Sequence, residues 1–116
     1  MANTFKVKTN AAMPASAGTA DTVYTVPSST TTVVIGLTLC NVHTSAVTAS
    51  VKIESNTSDT ETNEIVTVVK DASIPAGSSL ELLSGGKYVL QTTDVVKIDC
   101  SDSAKIDATL SIMEIT

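Results

Sequence analysis

Thr31-Thr32-Val33-Val34-Ile35-Gly36-Leu37-Thr38-Leu39-Cys40-Asn41-Val42 is the stretch that decides the fold. Val33, Ile35, Leu37 and Leu39 recur every second residue, and Val34, Gly36, Thr38, Cys40 and Val42 fill the other parity. Period-two patterning over such a length is the signature of a pleated strand, in which successive side chains point to opposite faces. β-Branched Val, Ile and Thr favour the same geometry, because their stiff χ1 fits a half-buried sheet better than a helix. The second face is small and mixed, which suits a surface covered by a loop or a neighbouring subunit.

Working outward, Thr44-Ser45 reads as a turn and Ala46 to Ile53 as a returning strand, with Val47, Ala49, Val51 and Ile53 in register. Together they read as a β-hairpin. Glu54 to Asn63 is polar and acidic, an exposed loop, and Ile65 to Lys70 is the next strand. Ile74-Pro75-Ala76-Gly77-Ser78 is a turn, with Pro presetting φ and Gly able to take positive φ. Leu80 to Leu83 follows, then the Ser84-Gly85-Gly86 turn and Lys87-Tyr88-Val89-Leu90. Asp94 to Cys100 alternates through Val96 and Ile98. The closing run from Ala104 to Ile115 sets Ile106, Ala108, Leu110 and Ile112 on one face, with Thr109, Ser111, Met113 and Ile115 on the other.

Toward the N-terminus, residues 5 to 9 (Phe-Lys-Val-Lys-Thr) alternate as a short strand, and Thr22 to Val26 form another, ended by the Pro27-Ser28-Ser29 turn. Between them Asn10 to Gly18, Ala/Ser-rich with Pro14, reads as an extended arm. Eight or nine short strands separated by turns, with no helical periodicity, predict an all-β fold. Its expected form is an antiparallel β-sandwich or jelly-roll carrying an N-terminal strand and arm over residues 1–18 and one sandwich domain over 19–116.

With 116 residues there is room for one core, built from aliphatic side chains because Phe5, Tyr24 and Tyr88 are the only rings. The net charge is −5, and the seven basic residues are all lysines, scattered from Lys6 to Lys105. Phosphate neutralisation calls for a basic face and base stacking for aromatics, so nucleic acid is not an expected partner. The start of the sequence has no apolar run of the kind a secretory signal uses, and Val33 to Leu39 is too short to span a bilayer. The expected state is a protein that is soluble and intracellular when made, with no membrane partner.

Few groups offer chemistry. His43 is the only histidine and sits where a strand enters a turn, and no serine lies in a nucleophile elbow. Cys40 and Cys100 fit no metal-ligand spacing and read as reduced thiols, the alternative being a disulfide between two strands. Asp94, Asp99, Asp102 and Asp107 cluster near the C-terminus, but Asp94 and Asp99 fall on opposite strand faces. The oxygen-rich run from Thr57 to Glu64 lacks the spacing and the Gly of a calcium loop, and Asn56-Thr57-Ser58 matches a glycosylation sequon. No enzyme activity, cofactor or metal is expected.

The order of the pieces resembles a known family. Met1-Ala2-Asn3-Thr4-Phe5-Lys6 is followed by Thr22-Val23-Tyr24-Thr25-Val26-Pro27 and by the long strand from Thr32. Then come Ser73-Ile74-Pro75-Ala76-Gly77-Ser78-Ser79-Leu80-Glu81-Leu82-Leu83, Lys87-Tyr88-Val89-Leu90 and the closing Leu110-Ser111-Ile112-Met113-Glu114-Ile115. Over nearly the whole chain this is similar to the small β-sandwich virion proteins of tailed bacteriophages, especially those infecting marine cyanobacteria. The acidic stretch from Glu54 to Glu64 is longer than the family pattern. The resemblance implies a virion location and a structural role, as a capsid decoration or cement protein on the major capsid protein. Tail, neck or fibre-attachment component is the alternative role within that family. It also implies a homo-oligomer, a trimer being favoured, with Phe5, Val7, Ala11, Met13, Pro14 and Ala15 as candidate interface residues. A carbohydrate-binding sandwich module is the competing reading from another class, resting on Tyr24 and Tyr88 as its aromatic platform.

Overall fold

The computed structural model describes residues 2–55 and 63–116. Among them are nine strands: β1 (Asn3–Met13), β2 (Asp21–Thr25), β3 (Thr31–Asn41), β4 (Val47–Glu54), β5 (Val66–Ile74), β6 (Ser79–Glu81), β7 (Tyr88–Leu90), β8 (Val95–Cys100) and β9 (Ile106–Ile115). They form two antiparallel sheets. One runs β1-β9-β3-β6, with β7 also on β3; the other runs β2-β8-β4-β5. The fold is the all-β sandwich that the alternation predicts. The acidic loop's residues 56–62, with the sequon and most of the Thr57–Glu64 run, lie outside the described residues.

β9 shows why the sheets pack. Ile106, Ala108, Leu110 and Ile112 are all buried, facing Val51, Val96 and Ile98 of the other sheet. An inward row of aliphatic side chains on each sheet is what a sandwich buries, and the outward positions stay polar or half-exposed.

Three expectations are corrected. The single alternation from Thr31 to Val42 is broken by a bulge: Val34 pairs with Ile112 and Gly36 with Ser111, so Ile35 is the extra residue. The bulge resets the parity. Thr32 and Val34 point inward before it, Leu37, Leu39 and Asn41 after it, and Ile35 is exposed. Val33 and Ile35 are therefore not on the face of Leu37 and Leu39.

Nor do β3 and β4 form a hairpin. β3 has β9 on one edge and shares its other edge between β6 and β7, so no edge is free for β4. Residues 42–46 instead carry the chain across to the second sheet, where Val47, Ala49 and Val51 turn inward. Buried Asn41 holds this crossover. Its Nδ2 donates to the Ser45 and Ile74 carbonyls at 2.9 Å, and its Oδ1 accepts the His43 N–H at 2.8 Å.

The third correction concerns the arm. β1 continues past Thr9 to Met13 along β9, with a bulge between Asn10 and Met13 and Ala12 at φ 56°. The end of β1 and the segment after it are fastened by their backbone N–H groups. Ala12 donates to Asp107 Oδ1 at 2.9 Å, Ala15 to Asp21 Oδ2 at 3.2 Å, Ala17 to Ser103 Oγ at 2.8 Å and Gly18 to Asp99 Oδ1 at 3.0 Å. Residues 10–18 are integral to the sandwich and do not extend from it.

Gly77 takes φ of +70°, the positive value that the turn after Ile74 makes available to Gly, and Gly85 takes +80° in the next turn. β5 outruns its expected end at Lys70 because Asp71, at φ 51°, kinks the strand and lets it resume to Ile74.

Candidate interaction surface

The outer face of the five-stranded sheet is built from the odd positions of β1 and β9. Phe5 pairs with Met113, Met113 with Val33, and Val33 with Val89. The four side chains thus lie in one row across β1, β9, β3 and β7. Phe5 is 73% exposed and Val89 64%, and Val7, 60% exposed, continues the patch along β1. The bulge adds Ile35 beside Gly36 and Ser111. Farther along the sheet the same face turns polar, through the row Thr9, Thr109, Thr38 and Glu81. Scattered exposed aliphatics are ordinary; a contiguous row on one sheet face is what makes this surface the candidate for contact with a neighbour.

The candidate interface residues divide. Phe5 and Val7 stand in this row, and Ala11 and Ala15 are exposed. Met13 and Pro14 are buried, Met13 within the core, because the strand turns in at the bulge. Sequence reading missed Met113, Val33 and Val89. Parity alone put Met113 outward, but its neighbours required the strand order.

Beneath the row, a charged network joins the sheets. Glu114 is buried; its Oε1 meets Lys6 Nζ at 2.6 Å and its Oε2 accepts the Tyr24 hydroxyl at 2.6 Å. Tyr24 Oη also lies 2.8 Å from Thr32 Oγ1. The Lys6 contact, with that of Tyr24, holds the Glu114 carboxyl below its ordinary 4.5 against the opposing effect of burial. Burial, reinforced by the Glu114 hydrogen bond, pushes the Tyr24 phenol up to about 12. A tyrosine so occupied offers no platform for a sugar, leaving Tyr88, half-exposed, as the remaining ring of the pair.

Elsewhere, several carboxylates hold parts of the fold together. Asp99, Asp107 and Asp21 fasten the segment after β1, and Asp94 accepts the Gln91 N–H at 2.9 Å and the Ser55 hydroxyl at 2.9 Å. His43 Nε2 lies 3.3 Å from Asp102 Oδ2. Cys40 is half-buried and Cys100 buried, and both are free thiols. Among the described residues no three His, Cys, Asp or Glu side chains come together as a metal site. The apolar cavity between the sheets, near Val34, Leu82 and Leu110, measures about 10 Å³, room for one water at most.

No family model matches the sequence, and no curated protein does. The fold has solved counterparts. A chain of the T13 IBDV viral particle superposes with a TM-score of 0.58 at 13% identity, over 97% of this chain and 30% of that one. A pilus chain of Bacillus endospore appendages aligns with a TM-score of 0.46 at 17% identity, over 99% of this chain and 85% of that one, too loosely to carry weight. The sandwich is thus a fold that a viral particle also uses, and this chain spans under a third of its counterpart there. No helix among the described residues is long and apolar enough to cross a membrane.

Proposed function

We propose that this chain is a non-catalytic virion structural protein of a tailed phage, a decoration protein seated on the major capsid protein. The row Phe5, Met113, Val33 and Val89 carries the reading: it sets apolar side chains side by side across four strands of one sheet face, where a neighbour can cover them together. Covering a large apolar side chain contributes about 1.5–3 kcal/mol, so a strip this size gives a weak contact singly and a firm one when repeated over a lattice. The whole-chain resemblance to phage virion proteins and the sandwich shared with a viral particle support the same assignment. On this reading the protein is a homo-oligomer, a trimer being favoured, and takes neither a cofactor nor nucleic acid.

Cryo-electron microscopy of intact particles tests it. Density at copy numbers approaching the shell protein's is the expected result. Density confined to the tail or neck would move the chain to the alternative role, and absence from the particle would end the virion assignment. The Phe5→Glu and Val89→Glu variants should fold as the parent does and lose their place on the shell.

A further inference from the structure

We infer that the free edge of β1 takes an added strand from a partner protein, an extended segment in which acidic residues alternate with apolar ones. Antiparallel pairs alternate between residues that exchange both backbone bonds and residues that exchange none. Ala2 and Thr116 exchange both, N to O at 3.0 and 2.9 Å, so along β1 the even residues bond to β9. Asn3, Phe5, Val7 and Thr9 therefore aim their N–H and C=O groups away from the sheet, a ready template for strand addition.

The remaining edges are poorer templates. β2 is short and bulged between Thr22 and Tyr24, β6 and β7 have three residues each, and β5 suffers two register shifts and the left-handed Asp71. β1 keeps one register without interruption from Asn3 to Asn10 and is exposed over most of that length.

Its side chains select the occupant. Phe5 and Val7 flank the edge on the outer face, so apolar residues on an incoming strand would extend the row described above. Lys6 and Lys8 flank it on the inner side. Glu114 contacts Lys6 directly and feels Lys8 only at longer range, so Lys8 makes no ion pair of its own among the described residues. Antiparallel pairing of two β1 edges over their full length sets lysine against lysine, which disfavours a second copy. A carboxylate opposite Lys8 is the complement.

The inference deepens the assembly reading and rests on it for the partner being a protein. Its test uses the isolated chain, so that its failure and the failure of the virion assignment are separate results. A labelled, end-blocked peptide Thr-Val-Asp-Val-Glu-Val-Thr is titrated with the full chain by fluorescence anisotropy, beside the same peptide with lysines replacing both acids. The expected result is binding of the acidic peptide alone. Val7→Pro should abolish that binding while keeping the parent's melting profile, because the Val7 N–H faces the free edge and β9 loses no bond. Lys8→Glu should reverse the preference toward the lysine peptide, a gain that misfolding cannot mimic. No binding by the acidic peptide, binding untouched by Val7→Pro, or a preference unmoved by Lys8→Glu would overturn the inference.

Discussion

The Tyr24 hydroxyl donates to Glu114 Oε2 at 2.6 Å, tying β2 in one sheet to β9 in the other. Because Lys6 and Tyr24 hold the Glu114 carboxyl below its ordinary 4.5, the folded state binds this proton less readily than the unfolded chain. The resulting stability is complete above pH 4.5 and is lost as pH falls through the lower folded value. Thermal melts of the parent and of Glu114→Gln should therefore converge as pH drops below 4.5. Tyr24 works in the opposite direction: raised from 10 to about 12, it contributes stability that is complete below pH 10 and lost as pH rises toward 12. Tyr24→Phe should remove that alkaline loss and cost about 1–3 kcal/mol at neutral pH, since Glu114 loses a buried partner. Equal pH dependence in parent and variants would sink the assignment.

The bulge at Ile35 makes a prediction that simple alternation reverses. Val34→Thr places a hydroxyl in the core and should cost about 1–3 kcal/mol, whereas Ile35→Thr, on the exposed side, should change stability by less than about 0.5 kcal/mol. Leu37→Ala, just past the bulge, should cost about 2–5 kcal/mol. Urea midpoints for the three variants check the parity residue by residue.

The same bulge marks where sequence reading stops. β9 was legible because its own alternation is unbroken; the extra residues fall in its neighbours β1 and β3. In β3 nothing in Ile35-Gly36 announces an extra residue, since an aliphatic followed by Gly suits a regular strand as well as a bulged one. The crossover to β4 was hidden for a different reason: whether β3 has a free edge depends on β6, β7 and β9, which come later in the chain. Glu114 lay within reach of the pattern, being two residues beyond Ile112 on the inward parity. Its charge argued for solvent, and only Tyr24 and Lys6, brought from distant positions, make its burial tolerable.

The segment after β1 should behave as part of the domain. Deleting residues 1 to 18 strips β9 of its edge partner, takes from Asp107 and Ser103 the Ala12 and Ala17 N–H groups, and leaves Asp99 Oδ1 with the Cys100 N–H but without that of Gly18. Loss of cooperative folding, followed by circular dichroism on heating, is the expected outcome; a truncated chain that melts like the parent would return the segment to the role of a separate arm. Within it, Ala12→Gly should stabilise by about 1 kcal/mol, because Ala12 sits at φ 56° where a Cβ is strained.

Asn41 offers the sharpest test of the crossover. Its amide donates to the carbonyls of Ser45 and Ile74, with that of Pro75 at 3.3 Å, while its Oδ1 accepts from His43. One side chain thus satisfies groups on the β3–β4 connection and on the turn after β5. Asn41→Ala removes a buried bond to the Ile74 carbonyl and the partly buried ones to Ser45 and Pro75, and should cost about 1–3 kcal/mol. Asn41→Asp keeps the shape and the bond from His43 but aims a carboxylate oxygen at carbonyl oxygens, so it should cost more than Asn41→Ala at neutral pH. Chemical denaturation of both variants decides the matter: if Asp is tolerated better than Ala, the amide hydrogens are not what holds the crossover, and the His43 contact is.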